Sequence, residues 1–130
     1  MANELTKKEQ DLVSTIKDTD IGAVIKPFIK EVHLFDSYVA GTTHLEDQTV
    51  LETIKVGEWL LLQREDNKFD SNAIMIFTET KRKLGYVPEK DNLIFARLMD
   101  AGKILKAKIT DITKKGTLHQ ISVGIYLVDF

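Results

Sequence analysis

The clearest alternation of apolar and polar positions lies near the C-terminus. Leu105, Ala107 and Ile109 fall on one side of an extended strand, and Lys106, Lys108 and Thr110 on the other. Side chains of a strand point to opposite faces in turn, so this period of two predicts a half-buried strand. Lys115–Gly116 makes a turn. A last strand then alternates through His119, Ile121, Val123, Ile125 and Leu127. Upstream, Val32–Phe35 runs into Tyr38–Ala40, and Leu84–Pro88 is a short strand stopped by its proline. Trp59–Leu62 and Ala73–Phe77 are apolar without a break. The first of these runs predicts burial on both faces.

Two stretches follow a helical period instead. Asp91 or Asn92 is placed to cap a helix whose stripe is Leu93, Ile94, Phe95, Ala96, Leu98 and Met99, with Gly102 as the natural residue past its end. The stripe reads as core. Thr6 and Glu9 fit a capping box, and Leu12, Val13 and Ile16 share one face, which predicts a short helix from about Lys7 to Lys17. Pro27 breaks any helix after it. The reading is a mostly β chain with helices: six or seven short strands in a small antiparallel barrel, one helix inserted before the last strands, and one N-terminal helix. Residues 1–30 form the helical extension and residues 31–130 the barrel.

The polar stretch Gln63–Ile76 interrupts this pattern. Between Arg64 and Asn72 seven of the nine residues are charged or amide, with Phe69 alone as an aromatic. Asp, Asn and Ser hydrogen-bond nearby backbone and favour turns. The stretch therefore reads as strand, long polar loop, strand. Such a loop is where a scaffold presents a binding site, and a solvated hairpin connection is the ordinary alternative. Gly41 followed by Thr42, Thr43 and His44 makes a second polar rim after a strand, which a ligand backbone can approach closely.

Composition narrows the chemistry. The 130 residues are 43% hydrophobic and 29% charged, enough for one core under an ordinary soluble surface. There is no cysteine, which excludes disulfides and thiolate zinc sites, and His33, His44 and His119 are scattered. No apolar run reaches the ~20 residues of a membrane span. The polar N-terminus lacks a signal-peptide core, so a cytoplasmic location is the expectation. Net charge is −2, but its distribution is uneven. Residues 1–63 carry 6 Lys/Arg against 11 Asp/Glu, and residues 64–115 carry 12 against 8. A basic half can still present a positive face to nucleic acid, because binding responds to local potential. Lys81, Arg82 and Lys83 at a hairpin tip, and Lys106 and Lys108 on one strand face, are the candidate phosphate contacts, although solvated outer positions account for such lysines equally. No phosphate-cradling glycine loop, nucleophile elbow or His-Glu-x-x-His helix occurs. Asp66 and Asp70 alone do not make a metal centre. The chain reads as no enzyme, with no cofactor and no metal.

Tyr38-Val-Ala-Gly-Thr-Thr-His44, Gln63-Arg-Glu-Asp-Asn-Lys-Phe-Asp-Ser-Asn-Ala-Ile74, Leu84-Gly-Tyr-Val-Pro88 and Ala96-Arg-Leu-Met-Asp100 resemble, in order and spacing, the motifs of the HIRAN domain family, in its stand-alone bacterial form. The resemblance implies a small barrel of OB-like or SH3-like character. It implies a module that captures a single-stranded DNA end with a free 3′-hydroxyl, in DNA repair or processing. On that resemblance Asp70 accepts from the 3′-hydroxyl and Phe69 packs on the terminal base or sugar. Thr43 and His44 match a pair that holds phosphate and base, and Tyr86 lines the pocket. Thr43 and His44 stand where the eukaryotic end-binding members have an arginine and an aromatic ring, and Glu89 stands where a lysine helps in those members. The loop also lacks a proline after Glu65 and is one residue shorter. The implied partners are single-stranded DNA and a helicase or nuclease on another chain. The alternative from the residues is a protein-interaction module or non-catalytic subunit of a DNA-processing complex.

Overall fold

In a computed structural model, residues 30–129 are described. The expected capping box and helix at 7–17 lie outside them. Six strands and one helix follow in order: β1 (Lys30–Tyr38), β2 (Trp59–Arg64), β3 (Ile74–Thr78), β4 (Lys83–Tyr86), α1 (Asn92–Asp100), β5 (Ile104–Lys115) and β6 (Leu118–Asp129). They make one antiparallel sheet in the order β1-β6-β5-β2-β3-β4. The sheet curls until its two edges meet just beyond β1. There Ala40 and Tyr86 exchange backbone hydrogen bonds of 2.8 and 2.9 Å. This closure gives the small OB-like barrel, with the helix inserted before the last two strands as the alternation predicted.

Register sorts the side chains onto two faces. Leu60 lies opposite Ala107 and Thr78, Leu62 opposite Ile76, and Ala107 opposite Ile125. These face inward, with Leu60, Ile76, Ala107 and Ile125 fully buried, joined by Val50, Leu84 and Phe95 in the core. Burying such side chains is the main favourable contribution to the fold. Trp59, Leu61, Lys106 and Lys108 take the outer face.

This corrects the expectation of two-sided burial for Trp59–Leu62. Leu61 is 41% exposed and Trp59 half-buried, because the barrel has solvent outside and core inside. An unbroken apolar run here marks an outer face that lysine stems partly cover.

The helical stripe needs a similar correction. Phe95 and Ala96 are buried, but Leu93 and Ile94 are 47% and 67% exposed. A nine-residue helix at the barrel's end offers the core only a narrow side. The expected cap is also absent. The Asp91 side chain makes no bond to the helix backbone and instead accepts from Ser37 Oγ at 2.9 Å, while Gly102 ends the helix as predicted, with φ 94°. Between β1 and β2 a 3-10 helix (Gln48–Glu52) buries Val50 and Leu51.

Candidate nucleic-acid interface

The loop between β2 and β3 is fastened at three places. Arg64, the last residue of β2, donates from Nη1 to Ala73 O at 2.6 Å and from Nη2 to Ser71 O at 2.7 Å. Its Nε reaches Asp100 Oδ1 at 2.9 Å at the end of α1. That contact holds the Asp100 carboxyl below the usual carboxylate range. Asp70 forms the second fastening. Its Oδ1 accepts from its neighbour's backbone, Asn72 N, at 2.9 Å, the local turn that Asp favours. Its Oδ2 accepts from Asn92 Nδ2 at 2.9 Å at the head of α1. Each oxygen keeps a second lone pair.

The third fastening runs through Tyr86. Lys83 Nζ donates to Tyr86 Oη at 2.8 Å, and Tyr86 Oη donates to Glu65 Oε1 at 3.0 Å. Glu65 Oε2 accepts from Asn67 Nδ2 at 3.2 Å, and Asn67 Oδ1 accepts from Phe69 N at 2.8 Å. A chain of hydrogen bonds thus links β4 to the backbone of Phe69.

Phe69 itself stands 86% exposed. Beside it a cleft of about 310 Å³ is lined by Ala40, Gly41, Asn67, Asp70, Ala73, Tyr86, Val87 and Glu89. The backbone at its wall is tight. A Cβ at Gly85 would collide with Ala40 O and Val39, so only glycine lets the two sheet edges meet there.

The predicted site residues divide among neighbouring surfaces. Asp70 and Tyr86 share this cleft, with Phe69 on its loop. Thr43 lines a different cavity of about 480 Å³, with Tyr38, Gly41, His119 and Ser122. His44 lines a third, beside Asp47, Arg82 and Lys83. Arg82 is engaged: it donates to Asp47 Oδ2 at 2.7 Å and Thr49 Oγ1 at 2.6 Å. The Thr49 side chain, with Arg82 next, pulls Asp47 down to a pKa of about 2. Lys81 sits at the turn with φ 67°. Lys106 and Lys108 lie on the outer face of β5, over Trp59.

One regularity was not legible in the sequence. Lysine ammonium groups stand over four aromatic rings: Lys68 over Phe69 at 5.3 Å, Lys83 over Tyr86 at 4.3 Å, Lys90 over Tyr38 at 5.4 Å, and Lys106 over Trp59 at 3.9 Å. Sequence reasoning had named neither Lys90 nor Trp59 as site residues. Only Lys68–Phe69 is adjacent in sequence, and the other pairings come from register and folding. His119 is the other addition: it is 8% exposed, and neither ring nitrogen has a hydrogen-bond partner among the described residues. Among the same residues no cluster of three His, Cys, Asp or Glu is placed to hold a metal ion, and no helix is long and apolar enough to cross a membrane.

Comparison with known proteins supplies the remaining facts. The family model described as "HIRAN domain" matches residues 32–128. A crystal structure of a protein from Lactobacillus plantarum superposes with a TM-score of 0.73 at 31% identity, covering 78% of this chain and 99% of that one. The crystal structure of the HIRAN domain of human HLTF superposes with a TM-score of 0.60 at 16% identity, covering 76% of this chain and 79% of that one. No curated protein matches the sequence.

Proposed function

The chain belongs to the HIRAN domain family, in general a DNA-binding module, and from that membership we propose that it binds single-stranded DNA and recognises a free 3′-hydroxyl end. The observation that carries this reading is Phe69. An aromatic ring 86% exposed contributes little to the fold, yet its loop is fastened to α1, β2 and β4. A rigidly presented ring is a platform for a base, and stacking is worth roughly 1–3 kcal/mol per base for any base type.

Asp70 supplies the end recognition. A carboxylate repels a continuing phosphodiester but accepts from a terminal hydroxyl. Its second lone pairs are available for that bond because the Asn72 and Asn92 donors use one on each oxygen. Tyr86 lines the same cleft, and Lys83, whose ammonium is 4.3 Å from the Tyr86 ring centre, contacts the phosphate before the terminal sugar in this reading. Thr43 and His44 lie on adjoining surfaces, where they meet the strand one or two nucleotides back. Tyr38, with Lys90 over it, joins this set as a stacking ring.

The module is not catalytic in this reading. Lys81 and Arg82 are auxiliary phosphate contacts at most, since Arg82 is already held by Asp47. The expected context is DNA repair or processing in the cytoplasm, with a helicase or nuclease on another chain as catalytic partner, and residues 31–130 as the binding domain behind an N-terminal extension. A second reading, a protein-interaction module, is favoured by the exposed Leu93 and Ile94.

Fluorescence anisotropy with a short oligonucleotide tests the first reading. Tight binding of the 3′-hydroxyl form, at least tenfold weaker binding of the 3′-phosphate form, and loss of that ratio in Asp70→Asn are expected. Equal binding of the two ends overturns end recognition. No binding at low salt passes the function to the interaction reading.

A further inference from the structure

We propose that the outer face of the barrel, centred on Trp59, is a second binding surface for single-stranded nucleic acid, and that it holds the strand independently of a 3′ end. The strand register establishes the surface. Trp59 lies opposite Lys108, Leu61 opposite both Lys106 and Phe77, and Lys106 opposite Tyr126. All these side chains therefore leave the sheet on its outer side.

The chemistry of this face is that of a phosphate track beside stacking rings. The ammonium groups of Lys106 and Lys108 lie 3.9 and 5.2 Å from the centre of the Trp59 ring. Tyr126 meets Trp59 edge-on with ring centres 5.1 Å apart. Lys108 has no ion-pair partner among the described residues. Lys106 pairs with Glu31 at 3.1 Å, an exposed bridge of little net worth that a phosphate can replace. Leu61 is 41% exposed beside them and offers apolar area to sugars and bases. Interleaved lysines and rings suit a polyanion with flat bases, and aromatic rings in a positive groove hold single strands without reading sequence.

The surface also continues toward the cleft. Gln63 is opposite Met75, and Met75 opposite Tyr86, on the same outer side. From β5 to β4 is three strand spacings, about 14 Å. A strand whose end lies at Asp70, if the end-binding reading holds, can therefore run over Tyr86 and Lys83 to Trp59.

Trp59 is the chain's single tryptophan, so its emission reports occupancy of this face directly. The experiment uses the full chain and two probes: a three-nucleotide oligothymidylate with a 3′-hydroxyl, and a twelve-nucleotide one with a 3′-phosphate. Quenching of Trp59 by the longer, blocked probe is expected, with a salt dependence whose slope falls by about 1.4 in the Lys106→Gln/Lys108→Gln double variant, about 0.7 per lost phosphate contact. Binding of the three-nucleotide probe is expected to survive that variant. Anisotropy-detected binding of the longer probe without any change in Trp59 emission, or an unchanged salt slope in the double variant, overturns the proposal. Equal quenching by polyglutamate also overturns it and assigns the face to an acidic protein. Quenching by the blocked probe without any 3′-hydroxyl preference keeps this surface and rejects end recognition. The reverse pattern keeps end recognition and rejects this surface.

Discussion

The side-chain amide of Asn92 donates to Oδ2 of Asp70 across 2.9 Å, joining the head of α1 to the loop between β2 and β3. Asn92 is 2% exposed, so this bond is made in a poorly solvated place. A buried amide needs such a partner, and the partner here is also the candidate end-binding carboxylate. One bond therefore serves both the fold and the orientation of the site.

Asn92→Ala is expected to destabilise the domain by about 1.5–3 kcal/mol, the range for a hydrogen bond to a charged group. The urea midpoint measures this. At temperatures where the variant remains folded, its ratio of 3′-hydroxyl to 3′-phosphate binding is expected to fall, because Asp70 loses the donor that orients it. An unchanged midpoint and ratio would show that the Asn72 turn alone holds the carboxylate.

Phe69→Ala separates function from fold. The ring is exposed, so stability is expected to change by less than about 0.5 kcal/mol. Affinity for single-stranded DNA is expected to drop by roughly 1–3 kcal/mol. A thermal melt beside an anisotropy titration reads both. A large loss of stability would mean the ring packs in solution and is no platform.

Gly85→Ala tests the closure of the barrel. A Cβ there would lie 2.6 Å from Val39 Cγ1 and collide with Ala40 O. The two sheet edges must part, at about 1–3 kcal/mol or more. A lowered melting temperature, with faster hydrogen exchange at the Ala40 and Tyr86 amides than elsewhere in the sheet, is the expected result.

Asp47 gives a pH dependence of known sign. Its carboxyl accepts from the Thr49 side chain and backbone and from Arg82, which lowers its pKa from 3.8 to about 2. A depressed carboxyl favours the folded state above its unfolded pKa and loses that contribution as pH falls through the folded value. Wild type is expected to exceed Asp47→Asn in stability at pH 6, with the difference fading between about pH 4 and pH 2. Urea denaturation at several pH values measures it. A difference that persists at pH 2 would mean the carboxylate's charge is not what Thr49 and Arg82 recognise.

The order of elements and the core were written in local pattern. Alternation at Leu105–Ile109 and His119–Leu127 fixed which side of β5 and β6 faces the core, because a strand's period is two and one face of the barrel is dry. The polar loop at 64–72 was legible because turn-forming residues cluster there and nowhere else at such length. The proposal for what the loop does rests on the motifs it shares with its family.

The placement of the charged and aromatic side chains relative to one another belonged to the tertiary structure. Trp59 and Lys106 are 47 positions apart in sequence and 3.9 Å apart in space because β2 and β5 became neighbours. Exposure on the outer face followed in the same way: four apolar letters in a row specify a strand but not which of its faces meets solvent until the sheet has closed. Local propensity favours Asp91 or Asn92 as a helix cap, but Ser37 and Asp70, brought near from another strand and a loop, offer their side chains better partners. Sequence by itself determined the strands, the helix, the core-facing positions of β5 and β6, and the family. Contacts across tens of residues decided which rings carry a lysine and which carboxylates are already engaged, because those depend on register and closure, which no local window contains.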